Sequence, residues 1–293
     1  MKCFIITMFL GLFIVSGNPG QSCLQGNLSE KAIYWGSTPA DSIAKLWLGI
    51  PLKAISDFIR WELSLDETDR SFRLQLLYGE AQPNTPGFWG GGTKKEIEGV
   101  YNQSDEMVYQ LISENLGSDI MIKRVSDNII HLLDPDKKLM KGNGGFSYTL
   151  NRKDPQSGTA IYIRSDPSDS VTKEVYQGRT PCKEIAGESG LILSEPCYKL
   201  KWLLTLNRDP VTGIPTTYQL KRTQHRQAVI EGKWNSTREN KDNHSIVIYQ
   251  LDPDKPANSI LLLKAGTHVL FFIDKQRNLM LGNGDFSYTL NRR

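Results

Sequence analysis

The sequence predicts an all-β protein made of two similar tandem units, each a small antiparallel sandwich or barrel. The first observation is a repeat: LMKGNGGFSYTLNR at residues 139–152 returns as LMLGNGDFSYTLNR at 279–292, with two differences. A self-match of this length indicates that one structural unit was duplicated. The second observation is a series of short segments in which polar and apolar residues alternate between turn residues. The length of 293 residues fits two ordinary domains.

The first 22 residues have the pattern of a secretory signal peptide. Lys2 is followed by an uncharged apolar run at 4–15 and by small and turn residues at 16–22. The run is too short to cross a bilayer core of about 30 Å. Cys23 follows directly, at the position where a lipoprotein is cleaved and acylated. Lipidation of Cys23 and simple secretion remain alternatives, and both predict export.

The composition argues against nucleic-acid binding. The formal net charge is only +3, from 35 basic and 32 acidic residues. Because the basic residues are scattered, no strong positive field is expected. The sequence therefore predicts a soluble globular protein with a mixed surface.

Alternating strands occur at corresponding places in both units. Residues 60–65 and 70–76 form one candidate hairpin. Residues 199–206 and 217–221 form the other, and a longer loop containing Pro and Gly separates them. Such an insertion is expected in a loop, where added length costs little.

Further signals predict hairpin turns and a cap for each unit. Apolar strands lead into turns at 134–137 and 274–277, and both turns begin with Asp. Residues 42–59 have nearly helical apolar spacing interrupted by Gly and Pro, and residues 183–195 are their counterpart. We expect a short helical or loop cap in each unit.

The domain boundaries follow from the repeat. We expect a first unit at 23–152, a linker at 153–172 and a second unit at 173–293. If residues 160–163 close the first barrel, the linker instead moves to 166–170.

The glycine-rich signature itself is interpreted as structural. Gly142-Asn143-Gly144 and its copy at 282–284 match neither GxGxxG nor a P-loop. The following residues alternate as a strand, so the signature predicts a bend that leads into a closing strand of each unit.

The cysteines distinguish the two units. Cys182 and Cys197 lie in the second unit, and Ala40 stands in the first where Cys182 stands in the second. In an oxidising compartment the two thiols are expected to pair, which would contribute about 3 kcal/mol. A soft-metal site is the alternative, but no close thiol spacing or nearby His supports it.

The sequence contains no recognisable catalytic constellation, so we predict that the chain is not an enzyme. The four histidines do not occupy equivalent positions in the two units. His131 and His268 lie in or beside apolar strands, where core or rim positions are expected. Trp61 and Trp202 do correspond. Core packing is expected for this pair, and lining a small apolar ligand is the alternative.

The second unit begins with Tyr-x-Gly-x-Thr-Pro-Cys, continues with Glu-Gly-x-Trp and ends with Gly-Asn-x-x-Phe-Ser-Tyr-Thr-Leu-Asn-Arg. In these motifs it resembles the NlpE-like copper-resistance and envelope-stress lipoproteins of bacteria. The resemblance covers residues 174–292, with 33–152 as a degenerate copy. It implies lipocalin-like barrels, export and an outer-membrane lipid anchor. The family's Cys-x-x-Cys is not kept, because Ile185 stands where the second cysteine belongs.

The predicted function is therefore that of a non-catalytic envelope protein similar to the NlpE-type copper-homeostasis and stress-sensing lipoproteins. It would be periplasmic or anchored in the outer membrane of a Gram-negative bacterium, with other envelope proteins as partners. No cofactor is expected, and Cys182 is the one candidate ligand for copper. The alternative is a lipocalin-like carrier of a lipid or small apolar ligand.

Overall fold

A computed structural model describes residues 31–83, 85–104, 107–157, 160–165, 171–189, 196–223, 229–241 and 244–293. The predicted signal peptide and Cys23 lie outside these residues. The described chain forms two closed antiparallel barrels of eight strands each, joined in tandem. The predicted all-β fold of two tandem barrels is confirmed.

Each barrel is an up-and-down meander in which successive strands pair and the last strand returns to the first. The first barrel contains β1 (Lys31–Pro39), β2 (Phe58–Asp66), β3 (Ser71–Gly79), β4 (Thr93–Gln103), β5 (Val108–Ile112), β6 (Ile120–Ser126), β7 (Ile129–Leu132) and β8 (Thr149–Arg152). The second contains β9 (Lys173–Thr180), β10 (Leu200–Arg208), β11 (Pro215–Thr223), β12 (Ile230–Lys241), β13 (His244–Leu251), β14 (Ile260–Ala265), β15 (Val269–Ile273) and β16 (Thr289–Arg292).

The predicted alternation places one set of side chains inside each barrel. In β3, Phe72, Leu74 and Leu76 are buried, whereas Arg73 and Gln75 between them are exposed. This is the period of two that a strand with one face on the core requires.

A short helix caps each barrel, as expected, but each is shorter than the segment assigned to it. Helix α1 spans Ser42–Trp47, and helix α2 spans Lys183–Ser189. The first helix ends before Gly49, which adopts φ +59°, and Ile59 already belongs to β2. Residues 190–195 of the second predicted cap lie outside the described residues.

The two hairpin turns that begin with Asp are confirmed and have the same geometry. The amide of Lys138 donates to Asp134 Oδ1 at 2.9 Å, and the amide of Asn278 donates to Asp274 Oδ1 at 2.8 Å. The residue before each donor has a positive φ, +60° in the first turn and +68° in the second. The duplication is therefore preserved at the level of individual turn hydrogen bonds.

A third apolar cluster, which we call the junction core, packs the two barrels against each other. Strands β14 and β15 are buried along their whole length, because one face looks into the second barrel and the other into this cluster. The buried members of the junction core are Val125, Ile129, Ile161, Ile163, Ile246, Ile248, Leu261, Leu263, Ala265, Val269, Phe271 and Ile273.

The segment between the barrels takes part in this packing. Ile161 and Ile163 are buried in the junction core, and Ile161 forms a bridge with Ser126 of β6. Ser165 Oγ accepts a hydrogen bond from the amide of Val247 at 2.8 Å. Residues 160–163 do not close the first barrel, because β8 pairs with β1 and does so instead.

Candidate functional site at the junction of the barrels

The repeat signature has two structural roles. Its last residues form β8 and β16, which close the barrels by pairing with β1 and β9. The closing-strand interpretation is therefore confirmed. Its first residues, the glycine-rich part, lie against the other barrel, and sequence reasoning missed this contact.

The contacts between the two signatures are related by an approximate twofold axis. The amide of Gly142 donates to Asn291 Oδ1 at 2.8 Å, and the amide of Gly282 donates to Asn151 Oδ1 at 2.9 Å. Each bond thus has a counterpart with the barrels exchanged. Such reciprocal contacts are the mark of an isologous interface, as found in symmetric dimers.

Side chains nearer the axis meet their own copies. Ser147 and Ser287 share a hydrogen bond of 2.7 Å between their hydroxyls, and Thr149 and Thr289 share one of 3.1 Å. All four residues are buried. Because buried hydroxyls need partners, these pairs fix how one barrel sits on the other.

The glycines of the signature permit this close contact. A Cβ on Gly142 would lie 2.3 Å from the carbonyl oxygen of Phe146, and a Cβ on Gly282 would lie 2.3 Å from that of Phe286. These distances are far below van der Waals contact. These carbonyls belong to the glycine's own turn, so the glycines are explained first by tight backbone packing within each turn. Each added Cβ would also lie close to the other barrel, 2.9 Å from Asn291 Nδ2 for Gly142 and 3.0 Å from Asn151 Nδ2 for Gly282.

His131 lies at the junction, opposite its own counterpart. It pairs with Thr149 in β8 as Phe271 pairs with Thr289 in β16, and the rings of His131 and Phe271 meet edge to face at 5.9 Å. His131 is fully buried, as expected for a core histidine. Its Nδ1 contacts Thr149 Oγ1 and its Nε2 contacts the carbonyl oxygen of Met140, both at 2.9 Å.

Burial controls the protonation of this histidine. Desolvation lowers the pKa of His131 to about 4, opposed only by the hydrogen bond to Met140. The imidazole is therefore neutral near pH 7, and one ring nitrogen donates while the other accepts.

The symmetry is broken where the signatures differ. Asp285 replaces Gly145 of the first copy. Its carboxylate forms an ion pair with Arg60 of the first barrel and accepts a hydrogen bond from the hydroxyl of Tyr198 at 2.5 Å. The first copy has no carboxylate at the corresponding position, so this contact occurs on one side of the axis only.

A row of aromatic rings crosses the junction beside Asp285, and we call it the aromatic row. Phe58 stacks on Phe88 at 4.2 Å and on Phe146 at 4.7 Å, measured between ring centroids. Phe146 in turn faces Phe286 at 6.0 Å, and Tyr198 lies edge-on to Phe286 at 5.6 Å. The row thus joins side chains of both barrels.

A cleft with a volume of about 980 Å³ also lies at the junction. Its walls are Trp35 and strands β2 to β4 of the first barrel and the turn at residues 283–285 of the second. Its charged groups, among them Glu62, Lys94 and Glu96, are of both signs. Lys153 lies 5.0 Å from the ring centre of Trp35 and forms an ion pair with Glu62.

The predicted disulfide is confirmed. Cys182 and Cys197 are bonded, with their Cα atoms 6.0 Å apart. The bridge ties the start of α2 to the segment that leads into β10. Only the second barrel has this bridge, because Ala40 of the first barrel stands at the position that corresponds to Cys182.

The described residues do not fit a Cu(I) site. Such a site needs soft sulfur ligands brought together, and Cys182 is committed to the disulfide. Across the described residues, no group of three or more His, Cys, Asp or Glu side chains is placed to hold a metal ion.

Trp61 and Trp202 occupy equivalent places in the two barrel interiors. Each indole Nε1 donates to a threonine hydroxyl at 2.8 Å, Thr38 in the first barrel and Thr180 in the second. Both indoles are almost fully buried and pack within the cores. The interior of each barrel is filled by its own side chains at these positions, and a ligand-lining role for either tryptophan stays a prediction.

The fold and the junction define a class: a single-chain pseudo-dimer, in which two eight-stranded barrels pack against each other through a duplicated signature. Comparison with protein-family models, with curated proteins and with solved structures gave no match. Within the described ranges, no helix is long and apolar enough to span a membrane.

Proposed function

We propose that this chain is a non-catalytic, exported protein of a bacterial envelope, similar in role to the NlpE-like stress-sensing lipoproteins. The two barrels act as one unit, and other proteins bind to it at the junction between the barrels. Envelope proteins are its expected partners.

The observation that carries the proposal is the Cys182–Cys197 disulfide in a tandem barrel. Structural disulfides persist in oxidising compartments such as the periplasm and are rare in the cytosol. The disulfide therefore supports export, in agreement with the leader pattern at residues 1–22. A carrier of a small apolar ligand is the alternative: Trp61 and Trp202 pack in the barrel cores, and Trp61 also lines the cleft at the junction.

The test is mass analysis of the mature N-terminus after expression of the full chain in a Gram-negative host. We expect cleavage near Cys23, recovery with the envelope fraction and an oxidised Cys182–Cys197 pair. Cys23→Ser distinguishes an acylated anchor from simple secretion. Ala40→Ser is the control, and it should change neither the mature N-terminus nor the recovery with the envelope fraction. A chain that keeps Met1 and reduced cysteines in the cytoplasm contradicts the proposal.

The copper part of the resemblance has its own test. Cu(I) titration of the protein with its disulfide intact is expected to give no stoichiometric complex, because Cys182 is not available as a thiolate. A one-to-one complex that is lost in Cys182→Ser would contradict that expectation.

A further inference from the structure

A second pocket at the junction has more aromatic rings in its wall than the main cleft. It has a volume of about 390 Å³, within the range of small-molecule sites. The first barrel contributes Phe58 and Phe146 to its wall, and the second contributes Arg179, Lys199 and Phe286. The carboxylates of Asp57 and Asp285 also line it, so its charged groups are of both signs.

Arg179 is the unusual member of this wall. It is half-buried, its Nε is shielded from solvent without a hydrogen-bond partner, and in the described part of the chain its guanidinium forms no ion pair. Desolvation lowers the pKa of Arg179, yet an arginine does not lose its proton in a protein. A half-buried guanidinium without a counter-charge is costly, and an anion would remove that cost.

Lys199 adds to the positive charge of the pocket. Burial lowers its pKa, and the neighbouring Arg179 and Lys201 lower it further, whereas Asp285 acts in the opposite direction. Asp285 is already engaged by Arg60 and the Tyr198 hydroxyl. The other carboxylate of the wall, Asp57, accepts a hydrogen bond from the amide of Ala81 at 2.7 Å. Among the described residues, Arg179 and Lys199 are therefore the cationic groups of the wall that form no ion pair.

The internal repeat shows which group is missing. Positions 145 and 285 correspond in the repeat. The second signature has the carboxylate of Asp285 at this position, whereas the first has Gly145 and therefore no carboxylate. The Cβ position of Gly145 lies 3.6 Å from Arg179 Nη1. A carboxylate attached there would reach the guanidinium, so the pocket has an unfilled place for one.

The aromatic row indicates which chemical group the rest of the ligand would contain. Phe146 and Phe286 lie side by side in the wall, nearly parallel and with their ring centroids 6.0 Å apart, and Lys199 Nζ lies 5.8 Å from the ring centre of Phe286. Flat apolar groups pack on such rings in offset or edge-on geometry. Because Asp57 and Asp285 also line the pocket, a phosphate dianion is repelled more strongly than a carboxylate, which has a single negative charge.

We propose that this pocket binds a small organic carboxylate that carries a flat apolar group. The carboxylate pairs with the forked guanidinium of Arg179 and with Lys199, and the apolar group packs on Phe146 and Phe286. The carboxylate belongs either to a free small molecule or to the C-terminus of a peptide ending in an aromatic residue. The inference does not depend on the proposed envelope role.

Calorimetric titration of the full chain tests the proposal with benzoate, its neutral isostere benzamide, phenyl phosphate, and a short peptide ending in Phe as free acid or amide. We expect saturable binding of benzoate or of the acid peptide and at least tenfold weaker binding of the neutral counterparts. Tighter binding of the peptide than of benzoate identifies a chain terminus as the source.

Gly145→Asp is the sharpest variant, because it supplies from within the carboxylate that the ligand would bring. The same turn already accepts Asp at 285, with the amide of Asp285 donating to Asn283 Oδ1 at 2.9 Å, so the fold should be kept. Binding should fall at least tenfold in Gly145→Asp and in Arg179→Gln, and stay unchanged in Lys137→Gln on a remote turn. Unchanged binding in both pocket variants, tighter binding of phenyl phosphate, or no binding of any carboxylate would overturn the proposal.

Discussion

The two barrels share strand order, turns, caps and closing strands, and several of their differences lie where they touch. On the shared side, Gly142 and Gly282 bond to Asn291 and Asn151 with nearly equal distances. On the side that differs, His131 faces Phe271. Symmetric residues thus form the joint, whereas unmatched residues place charged and titratable groups in it. The comparison indicates that the contacts between the barrels come from residues present in both copies. The charged and titratable groups at the junction come from residues present in only one copy.

The largest expected effect comes from disturbing a symmetric position. Gly142→Ala should lower the free energy of unfolding by at least about 3 kcal/mol, because the new Cβ meets a backbone carbonyl that cannot move aside cheaply. Gly187→Ala is the control, since its Cβ meets nothing within 4 Å in helix α2. Helix propensity should make that variant neutral or slightly more stable. Equal denaturant midpoints for the two variants would refute the assigned packing role.

The next largest effect concerns the disulfide, which is present in the second barrel and not in the first. Replacing Cys182 and Cys197 together by Ser should cost about 3 kcal/mol, as expected for a loop of this size. Hydrogen exchange should locate the loss at α2 and the start of β10, while the first barrel keeps its protection. Ala40→Ser, at the corresponding position of the first barrel, should change little. Loss of protection spread evenly over both barrels would argue against a local effect.

A smaller effect concerns pH and the His131–Phe271 pair. Because burial lowers the folded-state pKa of His131 to about 4, the unfolded chain binds the proton more readily below its usual pKa near 6.5. The stabilising contribution is present above pH 6.5 and is lost as the pH falls toward 4. Between pH 7 and pH 5 the loss should be about 2 kcal/mol.

His131→Phe should remove this acid-dependent part by making the pair at the axis Phe–Phe. Denaturation curves at several pH values measure it, with His268→Gln at the barrel rim as the variant that keeps the wild-type dependence. A His131→Phe profile as steep as that of the wild type would exclude His131 as its source.

The smallest effect is expected for the ion pair on the unmatched side. Asp285→Gly makes the second signature like the first and removes the partner of Arg60. The cost should be at most about 1 kcal/mol, because both side chains remain partly exposed and surface ion pairs are weak. The difference from wild type should shrink further in high salt. A cost that is large and insensitive to salt would mean that Asp285 acts through packing.

The sequence was sufficient for the fold because its signals are local. Alternation in β3, the Asp turns at 134 and 274 and the Cys182–Cys197 pair are each set by neighbouring residues or by compartment chemistry. The closing role of the signature followed in the same way. The helical caps were overextended because apolar spacing continued past Gly49, where the chain turns.

The junction was not predicted because it depends on how two finished barrels meet. The bond from Gly142 to Asn291 joins residues 149 positions apart, and no periodicity in one strand encodes it. One signal was available: the uninterrupted apolar runs at 260–263 and 269–273, which indicate strands buried on both faces. Arg179 and its pocket become visible only when both barrels are in place.

The pairs His131–Phe271 and Arg60–Asp285, which are not repeated on the other side of the axis, also determine which barrels pair with each other. The interface is isologous, so two first barrels from different chains share the same hydrogen-bonding groups and are potential competitors for it. That pairing would set one His131 against another and would leave Arg60 without Asp285. Pairing two second barrels would leave each Asp285 without Arg60. The asymmetric residues thus favour union within one chain and protect the protein from exchanging barrels with its neighbours.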